Sequence, residues 1–261
     1  MINVSLAPEE IDVGGRRIAY RRRSGAGPGL VWLPGFKSDM DSTKAGALDA
    51  HAAASGRALL RFDYSGHGLS GGRFEDGTIG QWLEDALAVI RARSSGPQVL
   101  VGSSMGGWLA LLAARALEAA GEKQRLAGMV LIAPAVDFTQ ALMWERFSPE
   151  IRKELADTGQ WLRPSGDGGT FAITLRLIEE ARSHLLFGQP IRSFCPVHIL
   201  QGMRDPDVPW QHAMQLVEHL ASDPVAITLV KDGDHRLSRG EDIARLLGAV
   251  DAMASPAAAS G

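Results

Sequence analysis

Apolar residues recur along this chain in two alternating rhythms. Compact runs at Leu30 to Leu33, Ala58 to Phe62, Val99 to Val101, Met129 to Ala133, Val197 to Gln201 and Ala226 to Val230 have the length and apolar character of buried strands. Between them lie longer stretches with apolar positions three and four apart, the spacing of one helix face. Strands separated by amphipathic helices predict an α/β domain with a mostly parallel, doubly wound sheet, its ligands at the carboxyl ends of the strands. Upstream, residues 2 to 6, 11 to 13 and 16 to 23 read as short strands split by turns, an antiparallel entry to that sheet.

The alternation stops between Asp137 and Phe194. Trp144, Phe147, Trp161, Phe171, Leu177 and Phe187 crowd this interval, which reads as a helical cap (residues 138–194) inserted into a core made of residues 1–137 and 195–261. A cap covers the carboxyl edge and supplies apolar walls, although most of its aromatics taken singly serve to fix it to the body. Gly166-Asp167-Gly168-Gly169 is its candidate hinge or loop, and the tail from Ser255 to Gly261 reads as a frayed end.

The chain has 261 residues, 45% of them hydrophobic, with a net charge of −3, enough for one sizeable core. That charge gives no footprint for nucleic acid. The run Arg21-Arg22-Arg23 is short and falls on an expected edge strand, where charge discourages further pairing. The stretch from Trp108 to Ala120 is broken by Arg115 and Glu118, so it is a core helix and no membrane insertion is expected. Met1 to Glu10 has neither a basic nor a long apolar region, which excludes a secretory signal there and points to a cytoplasmic protein. Cys195 is the single cysteine and reads as inert core. No H-E-x-x-H, paired C-x-x-C or P-loop pattern occurs, leaving no metal or nucleotide cofactor to argue for. Oligomeric state is not legible.

Chemistry enters at Gly102-Ser103-Ser104-Met105-Gly106. In a chain with 30 glycines the bare G-x-S-x-G pattern is weak, but here it follows a strand and opens a helix, as a nucleophile elbow requires. Ser104 is therefore the expected nucleophile; Ser103 has Val101 where the turn needs a small residue. A serine needs a histidine base and a carboxylate that orients it. The loop after Val197 to Gln201 offers Asp205, with Asp207 as competitor, and the loop after the last strand offers His235. His67 is the one rival base, and it precedes the nucleophile. His51, His184, His212 and His219 fall on predicted helices as surface histidines, and His198 lies inside a strand. The backbone N–H groups of Met105 and Phe36 are the expected oxyanion donors, Phe36 being the first residue after Pro34-Gly35 able to point a donor inward. Arg236 and Lys37, beside base and oxyanion loop, read as solvated charge or as steering groups for an anionic substrate.

Taken together, Pro34-Gly35-Phe36, Arg61-Phe62-Asp63-Tyr64-Ser65-Gly66, Gly102 to Trp108, Gly202-Met203-Arg204-Asp205, Val208-Pro209-Trp210 and Asp234-His235-Arg236 resemble the alpha/beta-hydrolase superfamily. Within it they resemble the branch of mitochondrial palmitoyl-protein thioesterases that also hydrolyse acyl glucuronides. The resemblance implies an eight-stranded hydrolase sheet, the set Ser104, Asp205 and His235, and ester or acyl-thioester small-molecule substrates cleaved without a cofactor. The lack of a transit peptide suggests a bacterial-type cytosolic relative. Many members place His-Gly before the oxyanion loop where this chain has Pro34-Gly35, which leaves that loop's hydrogen-bond support unassigned. A C–C bond hydrolase using the same triad and a non-catalytic binding protein are the competing readings.

Overall fold

The computed structural model describes residues 6–164, 169–220 and 223–254. In chain order its strands are β1 (Glu9–Val13), β2 (Arg16–Arg23), β3 (Ala26–Leu33), β4 (Arg57–Phe62), β5 (Gln98–Ser103), β6 (Leu126–Ile132), β7 (Gln160–Pro164), β8 (Thr170–Thr174), β9 (Val197–Gly202) and β10 (Val225–Val230). The helices are α1 (Thr43–Ser55), α2 (Ile79–Arg93), α3 (Met105–Ala119), α4 (Pro149–Thr158), α5 (Leu175–Ala181), α6 (Trp210–His219) and α7 (Gly240–Ala254). Eight strands form one sheet in the order β1-β2-β4-β3-β5-β6-β9-β10. From β4 to β10 every pairing is parallel; β1 with β2 and β2 with β4 are antiparallel.

The period of two along each strand explains why helices cover both faces. In β3, Leu30 and Trp32 enter the core beneath α1 and α7, which also takes Val99 and Val101 of β5 and Val130 and Ile132 of β6. Val31, Leu33, Leu100, Met129 and Leu131 point to the opposite core, filled by Trp82 of α2, Trp108 of α3 and Leu216 of α6. Strands buried on both faces carry the near-continuous apolar runs seen in the sequence. Thr78 caps α2 by accepting the Gln81 N–H at 3.2 Å, and Ser148 caps α4 ahead of Pro149, each meeting a donor the helix start leaves open.

Two sequence expectations need correction. The cap is not all helix: α4 and α5 flank the antiparallel hairpin β7–β8, paired from Gln160 with Thr174 to Pro164 with Thr170. Gly159, with φ 79°, ends α4 in the left-handed conformation glycine favours and turns the chain into β7. There Trp161 and Arg163 alternate with the more exposed Gln160, Leu162 and Pro164. Arg21-Arg22-Arg23 lies on the second strand of the sheet, not on its outermost one, yet past the reach of that outer strand: among the described residues β1 pairs only as far as Tyr20, while β4 pairs with all three arginines. Arg21 meets Asp41 and Arg23 meets Asp49, so two of the three charges are matched locally. Of the proposed hinge only Gly169 is described; residues 166–168, residues 2–5 of the strand expected at 2–6 and the tail 255–261 lie outside the described residues.

Two glycines test how the body and site are built. A Cβ on Gly106 would stand 2.0 Å from the Leu33 carbonyl oxygen and 2.7 Å from that of Pro34, whereas one on Gly46, inside α1, would meet nothing within 4 Å. Gly106→Ala is expected to cost roughly 1–3 kcal/mol or more; Gly46→Ala is expected to add about 0.4–1 kcal/mol. Thermal or urea unfolding of both variants checks the pair.

Candidate active site

β5 ends at Ser103 and α3 begins at Met105, leaving Ser104 at the bend with φ 54° and ψ −118°. An L-residue held there is strained, and three backbone hydrogen bonds hold it: its N–H donates to Ile132 at 2.8 Å, and its carbonyl accepts from Gly107 at 2.9 Å and Ala135 at 3.1 Å. The bend is possible because its flanks lack side chains. A Cβ on Gly102 would lie 2.3 Å from the Gly106 carbonyl oxygen, so the strand end and first helical turn touch backbone to backbone. Ser104 is half-buried and lines a cavity of about 510 Å³ at the carboxyl edge of the sheet.

Asp205 and His235, which follow β9 and β10, are joined directly: His235 Nδ1 lies 2.7 Å from Asp205 Oδ2. Asp205 is buried and held by three further donors. The Asp207 and Val208 N–H groups reach Oδ1 at 2.8 Å each, and Gln201 Nε2 reaches Oδ2 at 3.3 Å. Asp207 is exposed, lines the cavity, and contributes a carboxylate oxygen within 4.8 Å of the paired groups. Of the two acids, Asp205 is the one bonded to His235. Asp205, Asp207 and His235 are also the one cluster of metal-type donors among the described residues; four hydrogen bonds already occupy Asp205, which suits it to orienting an imidazole. Ser104 Oγ makes no hydrogen bond to His235 among the described residues, so the structure joins acid to base and sets the serine on the adjoining cavity.

The oxyanion loop follows β3. A Cβ on Gly35 would sit 3.3 Å from Ser104 Cβ, which places Phe36 beside Ser104. The Gly35 carbonyl accepts the Ser38 N–H at 3.0 Å, closing a turn whose third residue, Lys37, has φ 57°. Among the described residues the Phe36 N–H has no hydrogen-bond partner, and Met105, first residue of α3, has the free N–H of a helix start.

His67 takes no part in the Asp205–His235 contact. It is buried beneath this loop, and burial drives its pKa down to about 4, against the opposing pull of its bond to Ser65. Its Nε2 lies 3.3 Å from the Lys37 amide nitrogen and its Nδ1 3.3 Å from the Ser65 carbonyl oxygen. His212 departs from the surface role expected of it: it is buried, with Nε2 2.7 Å from the Val136 carbonyl oxygen, tying α6 to the loop after β6. His51, His184 and His219 are partly exposed and bond to Asp251, Glu180 and the Gln215 carbonyl, while His198 lies 2.9 Å from Thr228 Oγ1. Cys195 is buried and its thiol is pushed up to about 12 by burial, an inert core residue.

The cap closes over the serine. Phe138, Leu142, Met143 and Phe171 give the cavity apolar walls, and Lys37, Arg146 and Arg163 set three cations around it against the carboxylate of Asp207. Lys37 Nζ lies 4.0 Å from the Phe171 ring centre, a cation–π contact linking oxyanion loop to cap hairpin. Of the six cap residues singled out by sequence, only Phe171 lines the cavity; Phe147 packs on Trp161 at 5.3 Å and Phe187 on His212 at 5.1 Å. The Arg236 carbonyl accepts from Lys44 Nζ, which ties the base loop to α1.

With this geometry, the comparisons are decisive on lineage. A model of the serine aminopeptidase S33 family matches residues 30–183. The chain belongs to that family of alpha/beta-hydrolases. It is 39% identical over 236 residues to the mitochondrial palmitoyl-protein thioesterase ABHD10 of Bos taurus, covering 90% of this chain and 75% of that one. The human ABHD10 is 37% identical over the same shares. Among solved structures, a putative hydrolase from Agrobacterium vitis S4 superposes with a TM-score of 0.92 at 47% identity, covering 96% of this chain and all of that one. The mouse alpha/beta hydrolase domain-containing protein 10 gives 0.86 at 36% identity, covering 95% and 98%. The ABHD10 relatives, 36–39% identical along 90% of the chain, are named mitochondrial. That finding overturns the cytoplasmic expectation, which rested on the composition of ten residues.

His67 also sets a pH dependence. Its folded pKa of about 4 lies below the ordinary value of 6.5, so the unfolded chain binds the proton more readily. Its contribution is intact above pH 6.5 and is lost as pH falls toward 4, by about 3 kcal/mol in all. Asp63, raised to about 6 by burial, acts in the opposite sense over part of this window. Comparison with the non-titrating His67→Gln variant isolates the histidine: urea unfolding at pH 7.5 and 4.5 should show wild type losing more stability than the variant.

Proposed function

We propose that the chain hydrolyses carboxylic esters and acyl thioesters through a covalent acyl-Ser104 intermediate. The observation that supports this most strongly is the 2.7 Å contact between His235 Nδ1 and buried Asp205, set on the strand edge that also presents Ser104 at a strained bend. An Nδ1–H donated to Asp205 leaves Nε2 as the free acceptor, the tautomer a general base needs. Ser104 Oγ attacks the acyl carbon while its proton passes to His235 Nε2. The carbonyl oxygen, now an oxyanion, is met by the N–H groups of Met105 and Phe36. Collapse of the tetrahedral intermediate breaks the bond to the leaving alkoxide or thiolate, which takes the proton from His235. Water then attacks the acyl-serine with His235 again accepting a proton; collapse of the second tetrahedral intermediate breaks the bond to Ser104 Oγ, which takes that proton back, and the acid is released. The base–nucleophile contact is often long without substrate and tightens in the complex. The thioester reading draws further support from the ABHD10 relatives, named palmitoyl-protein thioesterases.

Fluorophosphonate treatment followed by mass spectrometry is expected to label Ser104. With p-nitrophenyl esters and matched thioesters, Ser104→Ala should lower kcat by roughly 10⁴-fold or more, and His235→Ala similarly. Asp205→Asn should cost on the order of 10³- to 10⁴-fold, while Asp207→Asn stays within about tenfold. An unlabelled Ser104 with no turnover would favour a binding protein, and turnover of a vinylogous diketone without any ester cleavage would favour C–C hydrolysis; either overturns the proposal.

A further inference from the structure

The Tyr64-Ser65-Gly66-His67-Gly68 motif has no part in the chemistry above, yet its histidine is among the most enclosed polar groups beside the site, 4% exposed. We propose that His67 is a positioning residue for the oxyanion hole, its neutral Nε2 accepting the Lys37 N–H and so holding the peptide run that aims the Phe36 N–H at the substrate. This rests on the assignment of Phe36 as an oxyanion donor.

Two bonds fix that run. The Gly35 carbonyl belongs to the same planar unit as the Phe36 N–H, and accepting from Ser38 at 3.0 Å sets the tilt of that plane. The next plane carries the Lys37 N–H, 3.3 Å from His67 Nε2. Lys37 has φ 57°, a conformation that favours glycine, so the turn needs an outside partner to persist. His67 is itself braced. Its Nδ1 lies 3.3 Å from the Ser65 carbonyl oxygen, which also accepts Trp82 Nε1–H at 3.0 Å. Ser65 in turn donates to fully buried Asp85 from its N–H at 2.9 Å and from its hydroxyl at 2.6 Å, and Asp85 pairs with Arg16 at 2.9 Å. Since a carbonyl can only accept, the Ser65 contact puts the proton on Nδ1 and leaves Nε2 as acceptor. The ring is wedged edge-on between Tyr64, Phe74 and Trp82, at centroid distances of 5.6, 5.2 and 5.1 Å. The Phe36 ring packs on the same Phe74 and Trp82 at 4.9 and 5.9 Å. Ring and loop are thus locked to one support. The low pKa of about 4 keeps Nε2 an acceptor throughout the neutral range.

The test uses the full chain with a p-nitrophenyl ester and three variants. His67→Phe keeps an aromatic ring without an acceptor; His67→Gln restores a carbonyl oxygen at about the reach of Nε2. His67→Phe is expected to lower kcat roughly 10- to 100-fold, less than outright removal of an oxyanion donor, with KM changed by less than about threefold, and His67→Gln to recover at least several-fold of that loss. A kcat near wild type in His67→Phe, or equal losses in two variants that both unfold cooperatively, overturns the assignment. Should His67→Phe fail to fold, nitrogen-15 NMR of the wild-type His67 ring decides: a protonated Nδ1 with bare Nε2 at pH 7 is expected, and a protonated Nε2 overturns the proposal. Ser104→Ala in the same assay separates the two readings, because its retained activity would remove the serine mechanism, whereas its inactivity beside an unaffected His67→Phe removes the positioning role alone.

Discussion

The site depends on one steric constraint, the contact of backbone with backbone where β5 turns into α3. Gly102 and Gly106 lie close enough that a methyl on either would collide with a carbonyl oxygen, 2.3 Å away for the first and 2.0 Å for the second. That closeness pulls the start of α3 against the end of β3, and with it the loop carrying Gly35 and Phe36. Ser104 and the loop after β3 are therefore placed by the same packing event. The strain at Ser104 is sustained by the surrounding sheet through bonds to Ile132 and Ala135, in keeping with the rule that strained backbone persists only where its neighbours over-determine it.

The acid and base use a different device. Asp205 is fixed by two backbone N–H groups of its own loop and by Gln201, so its carboxylate is oriented independently of His235. A carboxylate oriented by several donors changes little during turnover, so reorganisation is small. Asp207 lacks these partners and faces the cavity, where its charge opposes Lys37, Arg146 and Arg163. Two carboxylates separated by one residue are thus divided by hydrogen bonding into an orienting group and a lining group.

Much of this was legible in the sequence because it depends on local order. A run such as Leu30 to Leu33 has to be a strand buried on both faces, and glycines at 102 and 106 around a serine need a sharp turn whatever the rest of the chain does. Asp205 and His235 follow from chain order, each at the end of its own strand. The hairpin within the helical cap was not legible because β7 and β8 are only five residues each, and their alternation is masked by Arg163 and Pro164. His212 sits on an amphipathic helix where a polar residue looks solvent-facing; its burial comes from the Val136 carbonyl, a contact 76 residues away in the chain. Arg21 to Arg23 fall on the second strand because Glu9 to Val13 pairs outside Arg16 to Tyr20, and nothing local shows that Asp41 and Asp49 will meet two of them.

The deepest such gap concerns the oxyanion loop. Pro34 has no N–H to donate, and beyond the Gly35–Ser38 bond the turn draws its support from outside its own segment. That support comes from the loop after β4, a strand that is β3's direct neighbour in the sheet although it follows β3 by more than twenty residues in sequence. In a parallel sheet the carboxyl ends of adjacent strands lie side by side, so a residue just beyond β4 is bound to face one just beyond β3. His67 and Lys37 are that pair. The parallel order that gathers Ser104, Asp205 and His235 on one edge therefore also brings the second row of groups that hold the first in place. A short Tyr64-Ser65-Gly66-His67 turn, unremarkable as a string, becomes part of the site through sheet order alone.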